Sequence, residues 1–141
     1  MATHDLLRRL QWRRQPRLVL LHAPVEVRAC FDPVPPEVVI STRMARTERF
    51  VAVFAREAAV LERDAPRVLA AVATDDDPLV WFCYPKRTSR RFETDLSRDV
   101  GWEPLTGAGW RPVRQISIDD DWSALRFRPE PAMVGSTPVP G

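Results

Sequence analysis

The residues best suited to binding an anion lie in a short stretch that begins at Lys86 and ends at Asp99. Lys86 is the only lysine among 21 basic residues. A lysine ammonium is a compact charge with an adjustable pKa, unlike the planar guanidinium of arginine. Ser89, Asp95 and Arg98 lie in the same stretch, and a helix predicted to begin near Asp95 would add unpaired backbone N–H groups. Together these groups could bind a phosphate or a carboxylate.

A further candidate, His22, follows the first predicted strand. Ligands of open α/β sheets bind outside the carboxyl ends of the strands, so His22, Arg56 and Lys86 are expected at one edge of the sheet. In a purely structural alternative, Lys86 pairs with Asp95 or Asp99, and Arg98 holds the C-terminal hairpin in place. The candidate ligand-binding residues are therefore His22, Lys86, Ser89, Asp95, Arg98 and Asp99.

The residue types raise two further possibilities, nucleophilic catalysis and metal binding. Ser89 or Cys83 could act as a nucleophile with His22 as its base, although a thiol inside an apolar strand such as that of Cys83 stays neutral. A metal site is not predicted, because the two histidines and two cysteines form no C-x-x-C or H-x-x-x-H pair. The sequence therefore assigns no catalytic residue and no metal ligand.

The glycines exclude one class of site. There are five, and none precedes Gly101. Phosphate-binding loops of the G-x-G-x-x-G or G-x-x-x-x-G-K-[ST] type need backbone without a Cβ next to the phosphate. Neither pattern can be formed here, so no conventional dinucleotide or P-loop site is expected and no cofactor is predicted.

Apolar runs and helical periodicities alternate along the chain and predict its elements. The last two strands are separated by an acidic turn, which indicates an antiparallel hairpin. Strands are predicted at 17–21, 38–42, 50–55, 79–84, 113–118 and 123–128, and helices at 6–14, 25–31, 57–73 and 95–101. This order predicts an α/β fold: a three-layer Rossmann-like sandwich whose sheet is mostly parallel with a C-terminal antiparallel hairpin.

The length of 141 residues is typical of one domain. We expect a basic N-terminal segment at 1–16, a single domain at 17–129 and a disordered tail at 130–141. The net charge of +2 is too small to indicate nucleic-acid binding by itself. No apolar run approaches the roughly 20 residues of a membrane span, and a cytoplasmic location is expected.

Four segments form a recognisable pattern: YPKRTS from Tyr84, DLSRD from Asp95 followed by a Gly-Trp pair, VRQISID from Val113 and WSALRF from Trp122. They resemble a bacterial domain-of-unknown-function family of small proteins. That family carries a P-K-[GK]-[TS]-S loop, a D-[IL]-[NST]-R-[DE] segment and a closing D-[DE]-x-W-S-[AG]-L-[KR]-F strand. The resemblance extends over 17–129 in organisation but is specific only from Tyr84 onward.

The element order also resembles a shortened class I methyltransferase shell, which ends in a strand, a helix and an antiparallel hairpin. Such enzymes have a glycine-rich turn after the first strand and an acidic residue at the end of the second. Here the first turn begins with His22, where the small-protein family has Asn or Gly, and the second strand ends in Ser41-Thr42-Arg43. Both departures argue against binding of S-adenosylmethionine. The resemblance implies a fold and a candidate site, without a reaction.

Three functions follow as hypotheses. The leading one is a non-catalytic or regulatory module that binds a small anionic ligand or a protein partner at the strand ends. The second is an enzyme derived from the methyltransferase-like shell, with Lys86 or Asp95 in acid–base work. The third is nucleic-acid binding through the N-terminal arginines and a loop with Arg87, Arg90 and Arg91. A concave pocket with convergent polar groups would favour an enzyme, whereas a flat surface would favour the module.

Overall fold

The computed structural model describes residues 5–45, 47–73 and 77–130. Within these residues one sheet has the strand order β2-β1-β3-β4-β6-β5. Its strands are β1 (Arg17–Leu21), β2 (Val39–Ser41), β3 (Phe50–Phe54), β4 (Leu79–Pro85), β5 (Trp110–Ser117) and β6 (Trp122–Pro129). The helices are α1 (Asp5–Arg9), α2 (Val25–Ala29), α3 (Ala58–Ala71) and α4 (Glu103–Thr106).

The sheet is mostly parallel, as the sequence predicted. Strands β2, β1, β3 and β4 run parallel to one another. Strand β6 lies between β4 and β5 and is antiparallel to both, so β5 and β6 form the predicted C-terminal hairpin. The fold class is therefore a mixed α/β sheet with an antiparallel pair at one side.

Both faces of the central strands are buried, which explains why those strands are apolar at nearly every position. On one face, Val53 and Phe82 belong to a core cluster with Leu61 of α3 and Leu105 of α4. On the other, a second cluster joins neighbouring strand residues to α1 and α2. Its members include Leu6, Leu7, Leu10, Leu18, Leu20, Val27 and Trp81.

The predicted helix at 95–101 is wrong: these residues form turns, and the short helix α4 begins later, at Glu103. Side chains in this segment bond to nearby or distant backbone N–H groups, which competes with helix formation. Asp95 accepts a hydrogen bond from the N–H of Ala58 at 2.8 Å, and the Thr94 hydroxyl accepts one from Leu96 at 3.0 Å. The free helix N-terminus that was expected near Asp95 therefore does not exist.

The first helix is also shorter than predicted, because α1 ends at Arg9 instead of continuing to 14. Gln11 and Arg14 have φ angles of 66° and 68°, in the left-handed region that a right-handed helix cannot include. The predicted tail at 130–141 lies outside the described residues except for Glu130, and the acidic segment 74–76 lies outside them entirely.

We expect Phe127→Ala to lower the free energy of unfolding by about 3–5 kcal/mol, the usual cost of truncating a buried phenylalanine. Phe127 is 0% exposed, and its ring lies 5.8 Å from that of Phe82 and 5.3 Å from that of Trp102. Val113→Ala, at a position 42% exposed on β5, should change stability by less than about 0.5 kcal/mol. Urea unfolding measures both, and equal effects would contradict the placement of this core.

Candidate functional site

A cavity of about 310 Å³ lies at the carboxyl ends of β1 and β3. From β1 the chain continues through α2 to β2 on one side, whereas from β3 it continues through α3 to β4 on the other. The two connections diverge between these strands, so the cavity is at the topological switch point where ligands of open α/β sheets bind. It is lined by His22, Pro24, Phe54, Arg56, Glu57, Val60, Arg63 and Trp122.

His22 reaches this cavity through an unusual backbone conformation. It follows the last residue of β1 with a φ of 64°, and such a left-handed conformation costs a side chain-bearing residue on the order of 1–2 kcal/mol. Pro24 then adopts an extended conformation and precedes α2. As expected, His22, Arg56 and Lys86 each follow the carboxyl end of a parallel strand, and His22 and Arg56 line the cavity.

The buried carboxylate of Asp64 binds the imidazole of His22. Its side chain is 1% exposed, and its Oδ2 lies 2.7 Å from Nε2 of His22. Oδ1 accepts hydrogen bonds from Arg63 at 3.2 Å and from Arg67 at 3.1 Å. The carboxylate therefore has a hydrogen-bond partner on each oxygen, as a buried charge requires.

The protonation of this pair follows from its contacts. Burial raises the pKa of Asp64, but hydrogen bonds from Arg63 and His22 outweigh that effect and the pKa is lowered overall. Asp64 is then ionised at neutral pH and can only accept hydrogen bonds, so Nε2 of His22 must carry the proton it donates. In the neutral ring, Nδ1 remains as an unprotonated acceptor.

An aromatic group forms one side of the site. The ring of Trp122 lies 5.4 Å from that of Phe54 and 5.4 Å from that of Phe92. The guanidinium groups of Arg56 and Arg91 each lie 5.2 Å from the centre of the Phe92 ring. Cation–π contacts of this kind help to orient an arginine without neutralising its charge.

Lys86 and Ser89 lie in the loop after β4, beside the turn between β5 and β6, and do not line the cavity. The ammonium of Lys86 donates a hydrogen bond to the Ser117 hydroxyl at 2.7 Å, and its backbone N–H donates to the Asp121 carbonyl. The Ser89 hydroxyl donates to the Asp121 carboxylate at 2.8 Å. The alternative in which Lys86 pairs with Asp95 or Asp99 is wrong, since the hydrogen-bond partner of its ammonium is a serine.

The remaining predicted residues, Asp95, Arg98 and Asp99, have partners of their own and do not line the cavity. Asp95 binds the first N–H of α3, at Ala58. Arg98 and Asp99 pair with each other at 3.8 Å, with 70% and 85% of their side chains exposed. Of the six predicted site residues, all of which the structure describes, His22 is the one that lines the cavity at the switch point.

Asp64, Arg63 and Glu57 were missed as site residues, and one signal could have found the first of them. Asp64 lies on the face of α3 that also carries Leu61, Ala65 and Val68, and all of these residues are buried. An aspartate is rarely buried unless it has a partner. A charged residue within an apolar helical face therefore indicates a cation or an imidazole nearby.

The structure gives no support to the nucleophile hypothesis. Cys83 is buried in β4, and burial raises the pKa of its thiol, which therefore stays neutral. In the hydrogen bonds of the described residues, Ser89 contacts Asp121 and His22 contacts Asp64, so neither candidate nucleophile meets the base.

Neither a metal-binding cluster nor a membrane-spanning helix occurs in the part of the chain that the structure describes. No group of three or more His, Cys, Asp or Glu side chains there could hold a metal ion. None of the helices in 5–45, 47–73 and 77–130 is long and apolar enough to cross a membrane.

Comparison with known proteins shows weak structural likeness alone. No family model and no curated protein matches the sequence. Two similar solved structures are LepI in complex with SAM and a cysteine-to-alanine variant of LepI in complex with SAH and a substrate analogue. Each is 13% identical with a TM-score of 0.45, and the match covers 89% of this chain and 40% of LepI. At this level of similarity no family membership and no activity follows.

We expect Asp64→Asn to lower the free energy of unfolding at pH 7 by about 1–3 kcal/mol, since it weakens the charge-assisted bonds to His22, Arg63 and Arg67. The pKa of Asp64 is lowered by folding, so the wild-type advantage is present above the unfolded pKa of about 3.9. It is lost as the pH falls through the lower folded value.

The measurement is urea unfolding of both proteins at pH 7 and pH 3. Asp99→Asn is the matched control, because that side chain is 85% exposed and its loss should change stability by less than about 0.5 kcal/mol. A deficit of Asp64→Asn that is as large at pH 3 as at pH 7 would contradict an ionised, hydrogen-bonded Asp64.

Proposed function

We propose that this protein binds a small anionic ligand in the cavity at the carboxyl ends of β1 and β3, within a three-layer Rossmann-like domain. The observation that carries the proposal is a cavity at the topological switch point with Arg56, Arg63 and His22 in its lining. Phosphates and carboxylates are the ligands that guanidinium groups recognise through paired hydrogen bonds.

The charges around the cavity favour an anion. Arg56, Arg63 and Arg67 supply three positive charges, and Glu57 and Asp64 supply two negative ones. One positive charge is therefore in excess while His22 is neutral. Glu57 opposes an anion beside its carboxylate, so the ligand is expected to bind next to Arg56 and His22.

The size and lining of the cavity favour a small molecule over a protein partner. About 310 Å³ is at the lower end of the range found for small-molecule sites. Pro24, Phe54, Val60 and Trp122 make part of the lining apolar. The ligand is therefore expected to combine an anionic group with a small apolar part.

Lys86 with Ser89, Arg98 and Asp99 remains the alternative anion site that the sequence predicted. Lys86 is half-buried beside a serine hydroxyl, and within the described residues no carboxylate pairs with its ammonium. An anion could approach its ammonium from solvent. The two sites share no lining residue, so single substitutions can separate them.

An enzyme derived from a methyltransferase-like shell is the second candidate function. A concave pocket with polar groups favours it, and so does the hydrogen bond of 2.7 Å between His22 and Asp64, since a histidine held by a buried carboxylate can act as a general base. The acid–base residue would then be His22. Asp95, which the sequence suggested for this role, is less suitable because its carboxylate caps α3. Among the described residues, His22 has no hydrogen bond to a group that it could deprotonate. The geometry therefore favours binding over catalysis.

Nucleic-acid binding has less support from the arginines. Arg8 and Arg9 pair with Asp5, Arg13 pairs with Asp77, and Arg91 pairs with Glu26. Arginines that already pair with carboxylates release fewer counterions from a nucleic acid. A steep dependence of affinity on salt would nevertheless identify this function.

We expect Arg56→Gln to weaken binding of an anionic ligand by about ten-fold, the usual loss on removing one charge-assisted hydrogen bond. Thermal shift with phosphate, nucleotides and adenosyl ligands would find a ligand, and calorimetry would then give its affinity. Arg111→Gln is the matched control, because Arg111 is an exposed residue of β5 at the opposite side of the sheet. It should bind like the wild type.

Lys86→Gln decides between the two sites. Loss of affinity in Arg56→Gln with no loss in Lys86→Gln supports the cavity at the switch point. The reverse result would assign the ligand to the hairpin turn, and failure of every ligand to stabilise the wild type would refute the proposed function.

A further inference from the structure

His22 uses one of its two ring nitrogens inside the protein. Its Nε2 contacts the buried carboxylate of Asp64, while the ring lines the cavity and 42% of the side chain is exposed. An imidazole fixed through one nitrogen can present the other to a ligand. The second nitrogen, Nδ1, has no part in binding Asp64 and has no hydrogen-bond partner among the described residues.

We propose that His22 is a ligand of the bound anion only in its protonated form, so that binding of the anion promotes protonation of the cavity. The inference rests on the proposed function, since it concerns the same cavity. Neutral His22 presents the lone pair of Nδ1, which repels an oxyanion. The imidazolium instead presents an N–H donor at the same position, and Nε2 keeps its bond to Asp64 in both states.

The charges that face His22 make its proton important. From α3 come Asp64 with its partners Arg63 and Arg67, and from the turn after β3 come Arg56 and Glu57. On the other sides are uncharged residues of the lining, Pro24 before α2 and Trp122 of β6. The single excess positive charge of this group becomes two when His22 is protonated.

Two other acidic residues, one in α2 and one before β6, already have partners. Glu26 of α2 pairs with Arg91. Asp121, before β6, accepts a hydrogen bond from Ser89 and forms a longer ion pair with Arg91. Asp64 is then the carboxylate that stabilises the imidazolium directly. It acts as a positioning residue, because it binds the ring of His22 and not the ligand.

The predicted ligand class is a tetrahedral oxyanion, such as a sulfate or phosphate monoester, with acceptors for Arg56, Arg63 and His22. Binding and protonation are linked reciprocally, so the anion also increases the proton affinity of the site. Sulfate is the suitable probe because its own charge does not change between pH 5 and 8. Any pH dependence of its affinity then originates in the protein.

The test is calorimetry of sulfate binding to the wild type at pH 5.5, 6.5 and 8 and constant ionic strength. We expect affinity to be about five- to ten-fold higher at pH 5.5 than at pH 8, because one unit charge is added in a partly exposed site. Titrations in buffers with different ionisation enthalpies count the protons, and net uptake of a fraction of a proton per sulfate is expected, as a five- to ten-fold coupling requires.

His22→Asn is the main variant, because asparagine tolerates a left-handed backbone and does not titrate. It should bind sulfate with the same affinity at all three pH values and without proton uptake. His4→Gln is the matched control, since His4 is the other histidine of the chain, and it should retain the pH dependence. Nitrogen-15 NMR of the ring gives an independent readout: the neutral form of His22 should carry its proton on Nε2.

The outcomes separate the two proposals. Sulfate binding that is independent of pH, or a pH dependence that persists in His22→Asn, would overturn the role of His22 and leave the anion site intact. An Nδ1-protonated neutral ring would also contradict the inference. Absence of sulfate binding at every pH would overturn the inference, and absence of binding by phosphate and nucleotides as well would refute the proposed function.

Discussion

The arrangement of the site depends on one buried carboxylate. Burying Asp64 without partners would cost several kcal/mol, and the structure offsets that cost with His22, Arg63 and Arg67. Two of these partners come from α3 itself, whereas His22 comes from the turn after β1. The carboxylate therefore links the two chain segments that diverge at the switch point. It stabilises a left-handed residue that would otherwise be strained, and it fixes the orientation of the ring in the cavity.

The fold could be predicted from the sequence where physical signals are local. Continuous apolar runs identified β1, β3 and β4 because strands buried on both faces tolerate few polar residues, and alternation around an acidic turn identified the hairpin. The segment after Asp95 could not be predicted in this way. Its composition permits a helix, but the Asp95 carboxylate instead binds the N–H of Ala58, 37 residues earlier. Such a contact depends on tertiary structure, and no local pattern contains it.

The sequence predicted which edge of the sheet carries the site, but not the full set of residues that form it. The general rule for parallel strands placed His22 and Arg56 together, because each directly follows a strand or lies within two residues of its end. The same rule applied to Lys86, which follows β4, but its rarity as the only lysine contained no information about whether its side chain would line the cavity. Asp64 lies 42 residues from its histidine partner. Its role becomes visible only when α3 packs across the end of β1.

The far side of the sheet explains why binding is better placed at the switch point than along an exposed strand. Strand β5 is at the edge, and most of its side chains are exposed. A register shift between Pro112 and Arg114 interrupts its pairing with β6, and Arg111 and Arg114 add charge. Proline, bulges and charges are the features by which edge strands avoid adding a further strand. A partner that would extend the sheet by pairing with the backbone of β5 is therefore disfavoured. The cavity instead can bind a ligand through its side chains and one exchangeable proton.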